Sequence, residues 1–93
     1  MTIGYLELEL YAPWIHSLKE KRMEVKSLVK KIINKFNVSA VESKEQDTHQ
    51  IIVIAVAYLA ANTALADSIA DHLINYVESN TEAEIIKVIR EQY

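Results

Sequence analysis

The spacing of hydrophobic residues divides the chain into strand-like and helix-like segments. Over residues 3–11 (IGYLELELY), an apolar side chain or glycine occupies every second position, which predicts a β-strand with one buried face. Pro13 has no amide hydrogen for a sheet ladder and ends this strand. From Leu18 to Phe36 the apolar residues recur at the spacing of an amphipathic helix.

Two signals mark the ends of this first helix. Ser17 and Glu20 have the spacing of a capping box, in which the serine hydroxyl accepts from a helix amide and the glutamate carboxylate accepts from the serine amide. Asn37 suits a left-handed C-terminal cap. We therefore expect the helix to begin after Ser17 and to end at about Phe36.

The middle of the chain predicts a pair of strands. Residues 37–43 (NVSAVES) are typical of a short strand, and residues 44–48 form a polar turn. Residues 50–59 then predict a strand that is apolar at odd and even positions alike.

A second helix and a last strand follow. Asn62 is a candidate N-cap, and the helix is expected to end near Ser79–Asn80. Residues 83–92 (AEIIKVIREQ) predict the final strand. The apolar stripe expected on the second helix consists of Leu65, Ile69, Leu73, Tyr76 and Val77.

The order of elements is therefore β-α-β-β-α-β, in a single domain that covers residues 1–93. Two amphipathic helices are buried most simply on one face of a four-stranded antiparallel sheet, which is an α+β, ferredoxin-like arrangement. In that arrangement the first and third strands lie in the centre of the sheet.

The third strand predicts how the chain assembles. Because only one face of the sheet carries helices, Ile51, Val53 and Ala55 would lie on the uncovered face. An apolar surface of this kind is often buried by a partner, so we expect a homo-oligomer, most simply a dimer. The alternative is that this row of side chains is small enough to be left to water or loops.

The charges of the chain are distributed unevenly. The net charge is −3, yet residues 17–36 carry seven of the ten Lys and Arg residues against two Glu. Lys19, Arg22, Lys26 and Lys30 fall within about 80° of one another on a helix. Lys21 lies near the edge of the core, where we expect its aliphatic stem to pack while its ammonium group reaches water. Such a stripe suits phosphates or an acidic partner, and the alternative is a solvated helix face.

The loop before the first helix has other candidate binding residues. His16 and Ser17 stand beside the cationic stripe, and the imidazole of His16 can donate to a phosphate or a carboxylate or respond to pH. His16 is alternatively an ordinary polar loop residue. Trp14, in the same loop, either packs on the core or anchors a partner.

The composition argues against several functions. The chain has no cysteine, and its one glycine lies within a strand, so it has no thiolate site and no Gly-rich phosphate loop. The three histidines are widely separated, and no nucleophile motif is present. We expect no cofactor, no metal and no DNA-sequence reader. The longest apolar run, residues 51–61, is too short to cross a membrane, and we expect a cytoplasmic protein.

Five segments of the chain form a recognisable pattern, namely HSLKEKR (16–22), VKSL (25–28), FNVSAVE (36–42), QD (46–47) and ANTALAD (61–67). Together they resemble the YlxP-like family, small bacterial proteins of unknown function. The resemblance implies a ferredoxin-like fold and a genomic association with translation genes, including a ribosome-binding factor. It implies no catalytic residue. The chain departs from the family at Thr48–His49, where an aromatic residue is common.

Three functions remain open at this point. The first is a non-catalytic protein that binds RNA or a ribosome-associated partner through the edge from His16 to Lys30. The second is a homo-oligomeric interaction protein that uses the uncovered sheet face and binds no nucleic acid. The third is a small enzyme or ligand sensor that uses His16 and Asp47.

Overall fold

The computed structural model describes residues 1–45 and 48–93. It contains the six predicted elements in the predicted order. The strands are β1 (Thr2–Tyr11), β2 (Ser39–Lys44), β3 (Ile51–Ala60) and β4 (Glu84–Gln92), and the helices are α1 (Leu18–Lys35) and α2 (Thr63–Asn80). Within the described residues, neither helix combines the length and the apolar composition needed to cross a membrane.

The strands form one antiparallel sheet in the order β2-β3-β1-β4, which confirms the ferredoxin-like prediction with β1 and β3 in the centre. Leu6, Leu8 and Leu10 of β1 are fully buried beneath the helices. Their partners on β3 are Val56, Ile54 and Ile52, which are buried on the same face. The opposite side of the sheet, which carries no helix, is called the open face below.

The start of α1 differs from a complete capping box. The Glu20 amide donates to the Ser17 hydroxyl at 3.1 Å, as predicted. The Glu20 carboxylate, however, accepts from the Ser17 hydroxyl at 3.5 Å and not from the Ser17 amide. At the other end of α1, the prediction of a left-handed Asn37 is wrong. Phe36 is the extended C-cap, and Glu45 is the one described non-glycine residue with positive φ.

The buried stripe of helix α2 agrees with the prediction except at the start of the helix. Leu73 and Val77 are buried as expected, but Leu65 is exposed in the first turn. Ala66 and Ala70 take the buried positions, because small side chains let the helix lie close to the sheet. Asn62 caps the helix as predicted, since its side chain accepts from the Leu65 amide at 2.8 Å.

Gly4 is required where β1 passes the ring of Tyr58. The two residues are cross-strand partners, and a β-carbon built on Gly4 would overlap the Tyr58 ring. The ring has little freedom to move, because Tyr58 is buried and its hydroxyl donates to the Ala66 carbonyl at 3.3 Å. Gly4 is therefore a packing requirement between the sheet and the start of α2.

We expect Gly4→Ala to lower the free energy of unfolding by about 1–3 kcal/mol, because the added methyl group overpacks a closed site. Urea denaturation of the wild type and the variant measures this loss. In a Tyr58→Leu background the same substitution should cost much less, since the ring is gone. An equal cost in both backgrounds would show that Tyr58 is not the reason for the glycine.

Candidate nucleic-acid interface

Lys19, Arg22, Lys26 and Lys30 all lie exposed along one side of α1, and this set is called the basic face below. Within residues 1–45 and 48–93, none of the four makes an ion pair. The side-chain ion pairs of this part of the chain involve other cations, namely Lys21, Lys44 and Arg90. The basic face therefore presents charges that no described carboxylate neutralises.

The other exposed lysines of α1 lie on a different flank. Lys31 donates to the Asn80 carbonyl at 3.4 Å, at the C-terminus of α2. Lys35 stands in the last turn of α1, where a cation complements the helix dipole. Lys31 thus has a partner within the fold, whereas the four residues of the basic face lie on the other flank of α1.

Two apolar side chains interrupt the basic face, and the sequence analysis did not single them out. Met23 and Ile33 are exposed although both are large and hydrophobic. Met23 follows Lys19 by four residues, and Ile33 follows Lys30 by three, so each stands beside a cation on the same side of the helix. The sequence contained a signal for this feature, because both residues are apolar at helix positions outside the buried stripe of α1.

The predicted binding residues at the start of α1 have different roles. The Ser17 hydroxyl is engaged with the amide and the carboxylate of Glu20, so Ser17 is the helix cap. His16 is exposed and lies one residue before this cap. His16 therefore stands at the end of the basic face nearest to Lys19.

Lys21 is the main residue whose position the sequence analysis misjudged. A lysine at the edge of the core was expected to extend its charged end to water, yet Lys21 is only 1% exposed. Its ammonium group donates to the Glu45 carbonyl and, at 2.7 Å, to the Thr48 carbonyl. It also lies 3.1 Å from the Glu42 carboxylate. Helix α1 is thereby attached to both described sides of the turn between β2 and β3.

The contact between Lys21 and Glu42 is an ion pair without a well-aligned hydrogen bond. The Glu42 oxygen nearest to the ammonium is buried and has no hydrogen-bond partner among the described residues. The Glu42 side chain is 19% exposed as a whole, but its buried oxygen depends on the neighbouring cation, because desolvation is otherwise costly. The pair is therefore a structural element of the fold beneath the turn.

A polar network crosses the middle of the open face. The Glu7 carboxylate is 8% exposed and accepts from the Tyr5 hydroxyl at 3.1 Å and from the Ser43 hydroxyl at 3.4 Å. The Lys44 ammonium lies 3.4 Å from the same carboxylate. Burial, followed by the hydrogen bond to Glu7 and the charge of Glu7, raises the pKa of Tyr5 above its usual value of 10.0.

This network affects the predicted oligomer residues. Lys44 is on β2 and Glu7 is on β1, so the Lys44 side chain crosses the intervening strand β3 near its partner Val53. Val53 is consequently only 2% exposed within one chain, and Ile51 and Ala55 are half-buried. Large apolar side chains that remain exposed on this face include Ile3, Tyr11, Val41 and Leu59.

Trp14 borders a groove of about 500 Å³ between the two helices. Its indole is 39% exposed, which is intermediate between a core residue and a free anchor. The groove is also lined by Glu24 and by residues 79–82, and the Thr81 hydroxyl donates to Glu24 at 3.2 Å. The lining is mainly polar and belongs to the junction of α1 with the end of α2.

Two further expectations concern a pairing of His16 with Asp47 and the absence of a metal site. Gln46 and Asp47 lie outside the described residues, so the proposed pairing of His16 with Asp47 stays a prediction. Among the residues that are described, no three histidine or carboxylate side chains are grouped as they would be around a metal ion.

Comparison with known proteins identifies a family, a similar sequence and a similar fold. Residues 3–90 match the family described as "Protein of unknown function (DUF503)". The chain is 32% identical over 82 residues to the uncharacterized protein YlxP of Bacillus subtilis (strain 168), covering 88% of this chain and 89% of the relative. The crystal structure of At3g17210 from Arabidopsis thaliana covers 98% of this chain and 92% of its own with a TM-score of 0.50 and 14% identity, which is a likeness of fold alone.

Proposed function

The chain belongs to the family described as "Protein of unknown function (DUF503)", and it is similar to the uncharacterized protein YlxP. We propose that it is a non-catalytic protein that binds RNA through the basic face of α1. The observation that carries this proposal is the row of four exposed cations without an ion pair among the described residues. The association with translation genes that the resemblance implies favours ribosomal RNA as the ligand, and the protein would then act in the cytoplasm.

The dimensions of the basic face support contacts with a phosphate backbone. From Lys19 to Lys30 the helix rises about 16 Å, which is long enough for several successive phosphates. Lysine and arginine side chains that contact phosphates fix the position of a protein without reading the base sequence. The proposal therefore predicts affinity that depends strongly on salt and weakly on sequence.

The rest of the chain supports the choice of α1 over the sheet. Residues outside 17–36 carry three basic and eleven acidic side chains, so the body of the protein repels a polyanion while α1 attracts it. On the open face, Glu7 and Glu9 stand on the central strand β1. An RNA backbone is therefore expected to approach from the helix side of the molecule.

The salt dependence of RNA binding tests this proposal. With a stem-loop RNA and with the purified small ribosomal subunit as probes, the dissociation constant should rise roughly a hundredfold between about 50 and 200 mM salt, because four phosphate contacts release condensed counterions on binding and added salt opposes that release. Lys26→Gln should reduce the slope of log K against log salt by about 0.7–0.9. Fluorescence anisotropy for the RNA and sedimentation with the subunit measure both quantities.

The matched control is Lys31→Gln, which removes the same charge from the same helix but on the flank that contacts Asn80. Its slope should equal that of the wild type. Equal effects of the two substitutions would indicate non-specific attraction to the whole helix. Absence of binding at 50 mM salt for both probes would remove the proposal.

A second candidate is a homo-oligomeric interaction protein that binds no nucleic acid. The exposure of Val41 and Leu59, at 60% and 63%, favours it, because both are large apolar residues on the open face. It predicts a stable oligomer whose function is unchanged when the basic face is reversed. Oligomerisation without RNA binding would select this second candidate over the first.

A further inference from the structure

The outer edge of β4 carries main-chain groups that no described strand pairs. β4 runs from Glu84 to Gln92 at one end of the sheet and pairs with β1 alone. Ile3 and Tyr93 exchange both main-chain hydrogen bonds, each at 2.8 Å. Because the direction of these groups alternates along an antiparallel strand, Val88, Arg90 and Gln92 direct their amides and carbonyls outward.

The sequence of this edge is complementary to itself. If two copies of β4 pair antiparallel about Ile89, Lys87 of each copy lies opposite Glu91 of the other, and Ile89 lies opposite its own copy. These three residues share the open face, since their partners on β1 are Glu9, Tyr5 and Glu7. We propose that the chain forms a dimer by joining two β4 strands in this register, so that one sheet runs through both copies.

The direction of the main-chain groups agrees with this register. With Ile89 on the two-fold axis, Val88 of one copy stands opposite Arg90 of the other, and both have outward amides and carbonyls. Each such pair exchanges two hydrogen bonds, as in an ordinary antiparallel ladder. The main-chain groups of Ile89 point towards β1. The two copies of Ile89 therefore face each other without main-chain hydrogen bonds, as the pair type with the closer α-carbons.

The neighbouring registers are less favourable. Pairing about Val88 places Lys87 opposite Ile89 and leaves Glu91 without its cation. Pairing about Arg90 places two guanidinium groups opposite each other, which is destabilising. Of these three registers, only the one about Ile89 places opposite charges across from each other.

Arg90 does not obstruct this interface, because its charge is held on the helix side. Its guanidinium donates to the Asp71 carboxylate at 2.8 Å and to the Asp67 carbonyl at 3.2 Å. Helix α1 contacts β2 and β3, whereas α2 contacts β1, β3 and β4. In the dimer the two α2 helices are therefore central, and both basic faces stay at the outer ends. The proposal thus holds whether or not the chain binds RNA.

Disulfide trapping tests the position of the axis. The wild-type chain contains no cysteine, and residues in a closely spaced antiparallel pair have α-carbons about 4.5–5.5 Å apart, within the range that a disulfide spans. Oxidised Ile89→Cys should therefore migrate mainly as a covalent dimer. Leu59→Cys, exposed on the same face but on β3, should stay mainly monomeric. Failure of Ile89→Cys to form the dimer, or equal cross-linking of both variants, overturns the proposal.

A charge exchange tests the register in the cysteine-free chain. Sedimentation equilibrium should show a dimer for the wild type and a dissociation constant raised roughly tenfold for Glu91→Lys, because like charges then face each other twice. The double variant Lys87→Glu/Glu91→Lys should return close to the wild-type value, with thermal melts showing that each variant is folded. A wild type that stays monomeric at millimolar concentration, or a double variant that does not recover, contradicts the proposal.

Discussion

Replacing Lys21 with methionine is expected to lower the free energy of unfolding by about 3–5 kcal/mol, the usual cost of removing one partner from a buried ion pair. Methionine fills nearly the same volume but has no charge and no donor. The buried oxygen of Glu42 would then lack its cation, and the Glu45 and Thr48 carbonyls would lose a donor. Urea denaturation monitored by the fluorescence of Trp14 measures the loss.

Two further variants separate the ion pair from simple loss of a lysine. Lys26→Met removes an exposed cation from the same helix and should change stability by less than about 0.5 kcal/mol. Adding Glu42→Gln to Lys21→Met should recover part of the loss, because the remaining buried group is then neutral. Equal stabilities for Lys21→Met and Lys26→Met would show that the buried pair contributes nothing to the fold.

Hydrogen exchange gives an independent reading of the same contact. The Thr48 amide donates to the Glu45 carbonyl at 3.0 Å, and the Lys21 ammonium holds both residues through their carbonyls. In Lys21→Met the Thr48 amide should exchange faster relative to amides in the centre of β3. A uniform change across the chain would instead indicate global destabilisation without release of this turn.

The fold could be predicted because its signals are local and repeated. The alternation around Leu6 and Leu8 and the helical spacing of Val25, Leu28 and Ile32 determine which face each element buries. Once these faces are known, few arrangements bury all of them. The buried stripe of α2 was predicted less accurately, because Ala66 and Ala70 carry little hydrophobic signal yet allow the closest packing.

The surroundings of the charged side chains could not be predicted in the same way. Lys21 follows Lys19 by two residues and resembles it in sequence, but helical geometry turns Lys21 towards β2 and the turn that follows it. Glu7 likewise looks like a solvent-facing residue of β1, and only the arrangement of Ser43 and Lys44 on β2 encloses it. Both environments depend on partners more than 20 positions away in the sequence.

The residues of the basic face differ from the other cations of the chain in their ion-pair partners. Buried or bridged cations of the chain have structural partners that explain their presence, such as Glu42 for Lys21 and Asp71 for Arg90. Lys19, Arg22, Lys26 and Lys30 have no ion-pair partner among the described residues. Exposed basic side chains add little to stability by themselves. Reversing the charges of the basic face is therefore expected to change RNA binding without unfolding the protein.

Reversal of the whole basic face, Lys19→Glu/Arg22→Glu/Lys26→Glu/Lys30→Glu, is expected to weaken RNA binding by about a thousandfold or more. At high dielectric each charge at about 4 Å contributes near 1 kcal/mol, and four lost contacts together correspond to roughly this factor. Repulsion between the introduced glutamates and the RNA phosphates weakens binding further. Anisotropy titration of a stem-loop RNA at low salt measures the affinity, and circular dichroism establishes that the variant is folded.

The position of the charges, and not their number, is what this experiment must isolate. Lys26→Glu/Lys30→Glu and Lys31→Glu/Lys35→Glu change the net charge equally on the same helix, but only the first pair lies on the basic face. The first pair should account for a large part of the loss, and the second should have a much smaller effect. If the two pairs weaken binding equally, α1 attracts RNA as a diffuse charge, and the basic face is a solvated surface without a defined contact.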